Sequence, residues 1–302
     1  MTSLAAMLER GPVVLDGGLA TELERRGHDL GDALWSARLL RDAPDDIEAV
    51  HRAYFEAGAH VAISASYQAS YEAFAAAGIG RSETTRLLRL SVELAQRARD
   101  AVRPDGLVAA SVGPYGAVLA DGSEYTGDYG GATAERLAAV QRPRIAALLE
   151  AAPDVLALET IPSLLEIEVL TGLLGELPAV EAWMSFCCHD GERLGDGTPV
   201  ERAVRLAADS GRLVAVGINC TAPEHIDSLL ERARASTSLP LIAYPNHGRT
   251  WDGDAHAWRG PGVDTFPPES LAGWRARGAS AIGGCCGIGP DAIAGIARAL
   301  RR

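Results

Sequence analysis

The chain has 302 residues, 47% of them hydrophobic and 23% charged, with a formal net charge of −12 and five cysteines. That length supports a substantial core, while the acidic balance argues against nucleic acid or an anionic membrane surface as the main partner. No 18-residue apolar run and no basic-then-apolar leader is present, so a cytoplasmic protein with reduced thiols is expected; an odd cysteine count also makes a poor disulfide framework.

Eight short β-branched or apolar runs read as strands. In chain order they are VVLDGG (13–18), HVAISASY (60–67), LVAASVGP (107–114), VLALET (155–160), EAWMSFCC (181–188), LVAVGINC (213–220), LIAYPNHG (241–248) and ASAIGGCC (279–286). Most are nearly continuous apolar stretches, as expected of parallel strands covered on both faces. Between them lie patterns rich in Ala, Leu, Glu and Arg that predict helices over 45–57, 82–102, 132–152, 163–175, 199–210, 223–235, 267–277 and 290–301. Ser82 is placed to cap the second of these, with Glu83 and Thr85 in its first turn. Pro143 falls inside the third and predicts a kink, and Pro199, Pro223 and Pro290 suit first-turn positions. Strand then helix, eight times, predicts a closed (β/α)8 TIM barrel in a single domain spanning 1–302. An open doubly wound sheet is the alternative, because periodicity does not show closure.

Polar or reactive residues gather at the C-terminal ends of these strands: Asp16, Ser66 and Tyr67, Glu159 and Thr160, Asn219 and Cys220, Asn246, and Cys285 with Cys286. In a barrel those ends converge on one mouth, where such folds place their chemistry. Cys220 ends the sixth strand and the vicinal pair ends the eighth, close enough around a barrel for three thiols to meet. Neighbouring residues of a regular strand point to opposite faces, so both thiols reach one point only if the backbone leaves strand geometry. Gly283 and Gly284 are expected to supply that bend, with Gly287 at positive φ just after it.

Three cysteines at an open mouth suit Zn²⁺ with a vacant fourth position, as in a catalytic site; a structural site more often closes with a fourth Cys or His. Thiolate-bound zinc is a weak electrophile but holds an incoming thiol as thiolate, which points to activation of a sulfur nucleophile. The competing reading is that these are buried small hydrophobes, and Cys187 and Cys188 are read that way. His247 and His256, after the seventh strand, lack a partner at helical spacing and are weak ligand candidates.

DGGLATELERRG (16–27), DALWSARLL (32–40), SASYQAS (64–70), GPYGAVLADGSEYTGDY (113–129), LETIPS (158–163), GINC (217–220), YPN (244–246) and GGCC (283–286) together resemble the homocysteine S-methyltransferases. The GPYGA…LADGSEY…GDY block is most similar to the branch that uses S-methylmethionine. The resemblance runs from about residue 13 to 290. It implies a (β/α)8 barrel, Zn²⁺ on Cys220, Cys285 and Cys286 with the homocysteine sulfur as fourth ligand, and an ammonium group held by Asp16 and Glu159. The residue types agree: an α-amino acid needs carboxylates for its –NH₃⁺ and N–H donors for its carboxylate, and the Gly17–Gly18 turn offers such donors. For Asp16 the bland alternative is a helix cap, and for Glu159 a structural ion pair. One departure stands out. Many relatives follow GGCC with Arg-Thr-Thr-Pro, whereas here Gly287-Ile288-Gly289-Pro290 follows.

The expected reaction is direct methyl transfer from a sulfonium donor, S-methylmethionine or S-adenosylmethionine, to the thiol of homocysteine, giving methionine. Betaine and selenohomocysteine are weaker candidates as donor and acceptor. A cationic donor favours aromatic faces, so Trp35, Tyr115, Trp251 and Trp258 are candidates, as are the acidic Asp121 and Glu124; Tyr67 is a predicted substrate contact from its place at a strand end. Asn219 and Asn246 complete the predicted substrate contacts. A zinc-dependent lyase or hydrolase on the same fold is the rival, disfavoured because such sites prefer His and carboxylate ligands.

Overall fold

The computed structural model describes residues 3–31, 34–252 and 257–301. Eight parallel strands form its centre: β1 (Val13–Val14), β2 (Val61–Ile63), β3 (Leu107–Val112), β4 (Val155–Ile161), β5 (Glu181–Phe186), β6 (Ala215–Asn219), β7 (Leu241–Tyr244) and, after a hairpin of β8 (Thr250–Asp252) with β9 (Ala257–Arg259), β10 (Ala279–Ile282). The order is β1-β10-β7-β6-β5-β4-β3-β2. Hydrogen bonds from His60 N to Val14 O (2.7 Å) and Asp16 N to Val61 O (3.1 Å) join the two remaining edges, so the ring closes. The (β/α)8 barrel expected from the strand–helix alternation is therefore the observed architecture.

Alternation along each strand builds two apolar layers. Leu107, Ala109, Val155, Ala157, Trp183, Ala215, Ile242 and Ala281 point into the barrel. Their neighbours Val108, Ala110, Leu156, Leu158, Met184, Val216 and Ile282 pack outward under the helices. Leu4 and Leu8, on a helix over Leu4–Arg10 that the sequence patterns did not reveal, join the inner layer and stop the N-terminal end. The Glu181 carboxylate receives the Leu4 N–H at 2.7 Å and anchors that plug. The chemistry is thereby confined to the opposite mouth. Among the described residues no helix is long and apolar enough to cross a membrane.

The predicted helices are found with ends shifted by a few residues, for example Arg81–Val102 and Ala134–Leu149. Gly80, in extended conformation, caps the former, and Ser82 lies inside its first turn, so the expected Ser82 cap is corrected. The predicted strands run too long because their last residues, Asp16 to Gly18, Ser64 to Tyr67 and Gly283 to Cys286, leave the ladder to build the site. Short helices over Leu19–Arg25, Tyr71–Ala76, Tyr115–Leu119 and Ser123–Thr126 lie in the loops above the mouth and carry little periodic signal.

The helix Pro44–Ala57 ties two site loops together: the Tyr54 hydroxyl reaches Gly18 O at 2.9 Å and Ile288 O at 3.2 Å. Its His51 is fully buried, and neither ring nitrogen has a partner among the described residues. Burial pushes its pKa down from 6.5 to about 4. Between those values the unfolded chain takes up a proton that the folded chain refuses, so stability present above pH 6.5 is lost as the pH falls towards 4. The loss is on the order of 3 kcal/mol. Urea midpoints at pH 7.5 and 5 should fall further in the parent than in His51→Leu; an equal fall in both would reject this assignment.

Candidate metal and substrate site

Cys220, Cys285 and Cys286 form the one group of three metal-capable side chains found among the described residues, their sulfurs all within 4.8 Å of one another. The Cys220 and Cys286 sulfurs are 3.7 Å apart. Zinc–sulfur bonds of about 2.3 Å at tetrahedral angles require a separation of about 3.8 Å, so the donor set fits that ion in number, chemistry and spacing. Cys220 is the most acidic of the three: hydrogen bonds from Cys285, Cys286 and Tyr125 favour its thiolate, and the same coupling pushes Cys285 and Cys286 up.

Each thiol is aimed by a different device. Cys220 takes φ +47°, a left-handed conformation rare for a side-chain-bearing residue. Its carbonyl is held by Asn246 Nδ2 at 3.1 Å and its N–H by Tyr244 O at 3.2 Å. The vicinal pair follows the end of β10 in irregular backbone, as required for both sulfurs to converge. The two glycines before it stand where the chain leaves β10, and they have a second use. Neither Gly283 nor Gly284 has positive φ; a Cβ on Gly283 would stand 2.6 Å from that of Leu15, and one on Gly284 would run into Ile288. They supply room for close packing. Gly287 does take the expected positive φ, +84°, and donates its N–H to Thr21 Oγ1 at 2.8 Å.

The thiols open onto a cavity of about 120 Å³ lined also by Gly17, Gly18, Tyr67, Glu159 and Thr160. Glu159 is 6% exposed and Asp16 2%. Ser111 Oγ donates to Glu159 Oε1, Tyr244 donates to Oε2 at 3.2 Å, and Asp16 Oδ2 accepts the Ile63 N–H at 2.7 Å. Burial raises both carboxyls, Glu159 to about 7, and the Glu159 charge lifts Asp16 further. No salt bridge neutralises either one among the described residues. The buried Arg144 charge lowers Glu159 less than burial raises it and is spent on backbone carbonyls, so the carboxyl pair lacks a contacting cation and is a receptor for one.

The other predicted contacts divide. Tyr67 lines the cavity, its hydroxyl turned to Thr160 and its carbonyl held by the buried Arg144. Asn219 and Asn246 bond to protein and form no part of the cavity wall. Asn219 Oδ1 accepts the Thr160 N–H at 2.7 Å while its Nδ2 donates to Thr160 Oγ1 at 2.8 Å, a two-point clamp on a residue at φ +62°. Asn219→Ala leaves that buried N–H unpaired and should lower stability by about 1–3 kcal/mol in urea denaturation; an unchanged midpoint would dismiss the clamp. Trp35 opens a 3-10 helix over Trp35–Arg38, but its side chain, like those of Trp251 and Trp258, lies outside the described residues, as does His256 altogether. Tyr115 packs edge-on against Tyr129, ring centroids 5.4 Å apart, and is a packing residue. Cys187 and Cys188 are buried and outside the sulfur trio, and His247 is also outside it.

Tyr125 and Thr21 were missed, and Glu124 was named only as part of an acidic loop. All three line the cavity, and burial raises Glu124 to about 7. The GSEYTGDY segment was the available signal; only a fold brings the loop after β3 over the thiols of β6 and β10.

A profile of the homocysteine S-methyltransferase family matches residues 13–300. The chain is similar to homocysteine S-methyltransferase YbgG of Bacillus subtilis, 45% identical over 98% of this chain and 97% of that protein. It is 46% identical to a homocysteine S-methyltransferase of Escherichia coli, with 97% of each covered. Among solved structures, the metallated form of the Escherichia coli homocysteine methyltransferase MmuM superposes with a TM-score of 0.87 at 45% identity, covering 97% of this chain and 98% of that one. With the sulfur trio, the paired carboxyls and a match along nearly its whole length, the chain belongs to the homocysteine S-methyltransferase family.

Proposed function

We propose that this protein transfers a methyl group from a sulfonium donor, S-methylmethionine first and S-adenosylmethionine second, to the thiol of L-homocysteine, forming methionine. The observation that carries it is the juxtaposition of three cysteine sulfurs with the buried Glu159 carboxyl around one small cavity, the buried Asp16 carboxyl lying behind the wall beside Gly17 and within electrostatic reach of Glu159. That pairing matches a molecule with a thiol at one end and an ammonium at the other. Relatives named for this activity share 45–46% identity along the full chain, which supports it.

Cys220, Cys285 and Cys286 are the residues that would hold zinc. Bound there, zinc would keep a substrate thiol ionised at neutral pH, although a free alkyl thiol of pKa about 8.5 is mostly protonated. Glu159 and Asp16 take the ammonium group, which restores the charged form of both carboxyls. The Gly17–Gly18 backbone lines the cavity, packed too closely against Ile288 O and Cys285 O to admit side chains; the Gly18 N–H is held by Ile288 O at 2.9 Å, so the substrate carboxylate is assigned to the Gly17 N–H. Tyr67, Tyr125 and Glu124 face the cavity and receive the cationic donor. The homocysteine sulfur forms a bond to the methyl carbon, the donor carbon–sulfur bond breaks, and its electron pair stays on the departing sulfur. With both reactants held in line, positioning supplies much of the rate, and no methylated protein is needed.

The deciding assay measures methionine formed from homocysteine with S-methylmethionine, S-adenosylmethionine or betaine in turn. Product with a sulfonium supports the proposal. Product with betaine alone moves the donor class, and no product from any of them rejects the activity.

A further inference from the structure

A second cleft, of about 340 Å³, lies beside the thiols and is lined by Thr21, Glu24, Arg25, His247, Arg249, Asp264 and Gly287. Thr21 and Glu24 also line the central cavity, so the two spaces share a wall. Gly287 follows the ligand Cys286 directly and is tied to Thr21 at 2.8 Å. The cleft thus borders the chain segment that carries Cys286.

Its charges are mixed, two guanidinium groups facing two carboxylates. The cations are under-used by the protein. Arg25 has only a loose contact with Glu22 at 3.9 Å, and the Arg249 side chain has no ion pair among the described residues. Arg25 reaches its place because position 289 is glycine: a Cβ there would overlap the guanidinium, at the entrance of the helix Pro290–Leu300. A site of both signs, partly exposed and next to a cationic-sulfur reaction, suits a zwitterion.

We propose that this cleft binds the α-amino acid end of the sulfonium donor, with Arg25 and Arg249 on its carboxylate and Glu24 on its ammonium group. The proposal rests on the methyl-transfer reading. Two methylenes separate the sulfonium sulfur from the α-carbon in such a donor, a reach of about 4–5 Å from ordinary bond lengths. That reach would place the sulfur over the central cavity and the headgroup across the wall that Thr21 and Glu24 share. Homocysteine fills the inner cavity, so acceptor and donor headgroups are read by separate charge sets. S-methylmethionine and S-adenosylmethionine carry the same headgroup, and both are tested.

The test pairs Arg25→Ala/Arg249→Ala with Gly289→Ala. The second keeps both arginines and only displaces the flexible Arg25 end; Gly289 has no positive φ, so alanine fits its backbone. Calorimetry on the zinc-loaded protein with homocysteine omitted reads donor affinity directly. The double variant should weaken S-methylmethionine at least about tenfold, the loss expected for charge-assisted hydrogen bonds. Gly289→Ala should weaken it in the same direction, and the KM for homocysteine should stay within about twofold. Weakening of S-adenosylmethionine as well assigns the cleft to both donors; weakening of S-methylmethionine alone assigns it to that one. Unchanged donor affinity in both variants, or a rise in homocysteine KM with donor affinity untouched, overturns the subsite. Should the parent protein make no methionine from any sulfonium, the functional reading fails, and the calorimetric comparison still decides whether the cleft binds the headgroup.

Discussion

Cys286→Ala should retain the barrel but lose its metal: zinc measured by mass spectrometry falls from about one ion per chain to a small fraction of that, and methionine formation from homocysteine becomes undetectable above background. Two of three sulfurs remain, at the mouth of a rigid ring, and two thiolates hold zinc far more weakly than three. Cys220→Ala should do the same. Residue 220 sits at φ +47°, where alanine is no more comfortable than cysteine, so the loss is of ligand and not of backbone strain. Cys187→Ala is the control. Its sulfur is buried beside the site, 3.6 Å from the Cys220 carbonyl, yet outside the trio; zinc content should persist. Full metal and activity in Cys286→Ala would remove the basis of the proposed chemistry, and zinc loss in Cys187→Ala would mean that a fourth sulfur completes the site.

The barrel and its sulfur trio were legible for a common reason: both follow from strand ends. Eight apolar runs alternating with helices leave few topologies, and β6 and β10 then carry Cys220 and the Cys285–Cys286 pair to one rim. The glycine argument was half legible. That GGCC needs glycines was visible, but whether they serve bending or packing depends on Leu15 and Ile288, distant in sequence. Asn219 could not be assigned from its place at a strand end, because its partner Thr160 lies 59 residues away and its clamp exists only once β4 and β6 are folded. The polar core behind the mouth was equally hidden. Arg144 looks like a surface arginine in an amphipathic helix, yet it is fully buried and holds the carbonyls of Ser66, Tyr67 and Gly113, fixing the loops after β2 and β3. Periodicity ranks residues by face; it does not reveal a carbonyl cluster waiting for a guanidinium.

Glu159→Gln should separate stability from function in opposite directions. In the free protein, burial holds the Glu159 carboxyl near pKa 7, against an ordinary 4.5. Over that interval the folded state keeps a proton that the unfolded chain has released, so this group's stabilising contribution, full below pH 4.5, is lost as the pH rises through 7. Glutamine carries no such charge. Without substrate the variant should therefore gain stability over the parent between pH 6 and 8, by up to about 3 kcal/mol less the hydrogen bonds that Ser111 and Tyr244 give to the carboxylate. Homocysteine reverses the sign for the parent alone: its ammonium group favours the ionised carboxylate, and breaking such a buried pair costs about 3–5 kcal/mol. The variant's kcat/KM for homocysteine should accordingly fall by about 10²–10³, mostly through KM, and thermal stabilisation by added homocysteine should shrink with it. The zinc content should not change, because Glu159 is no part of the sulfur trio. A variant that binds homocysteine as the parent does, whatever its stability, would mean that the ammonium group is held elsewhere and that the paired carboxyls serve the donor.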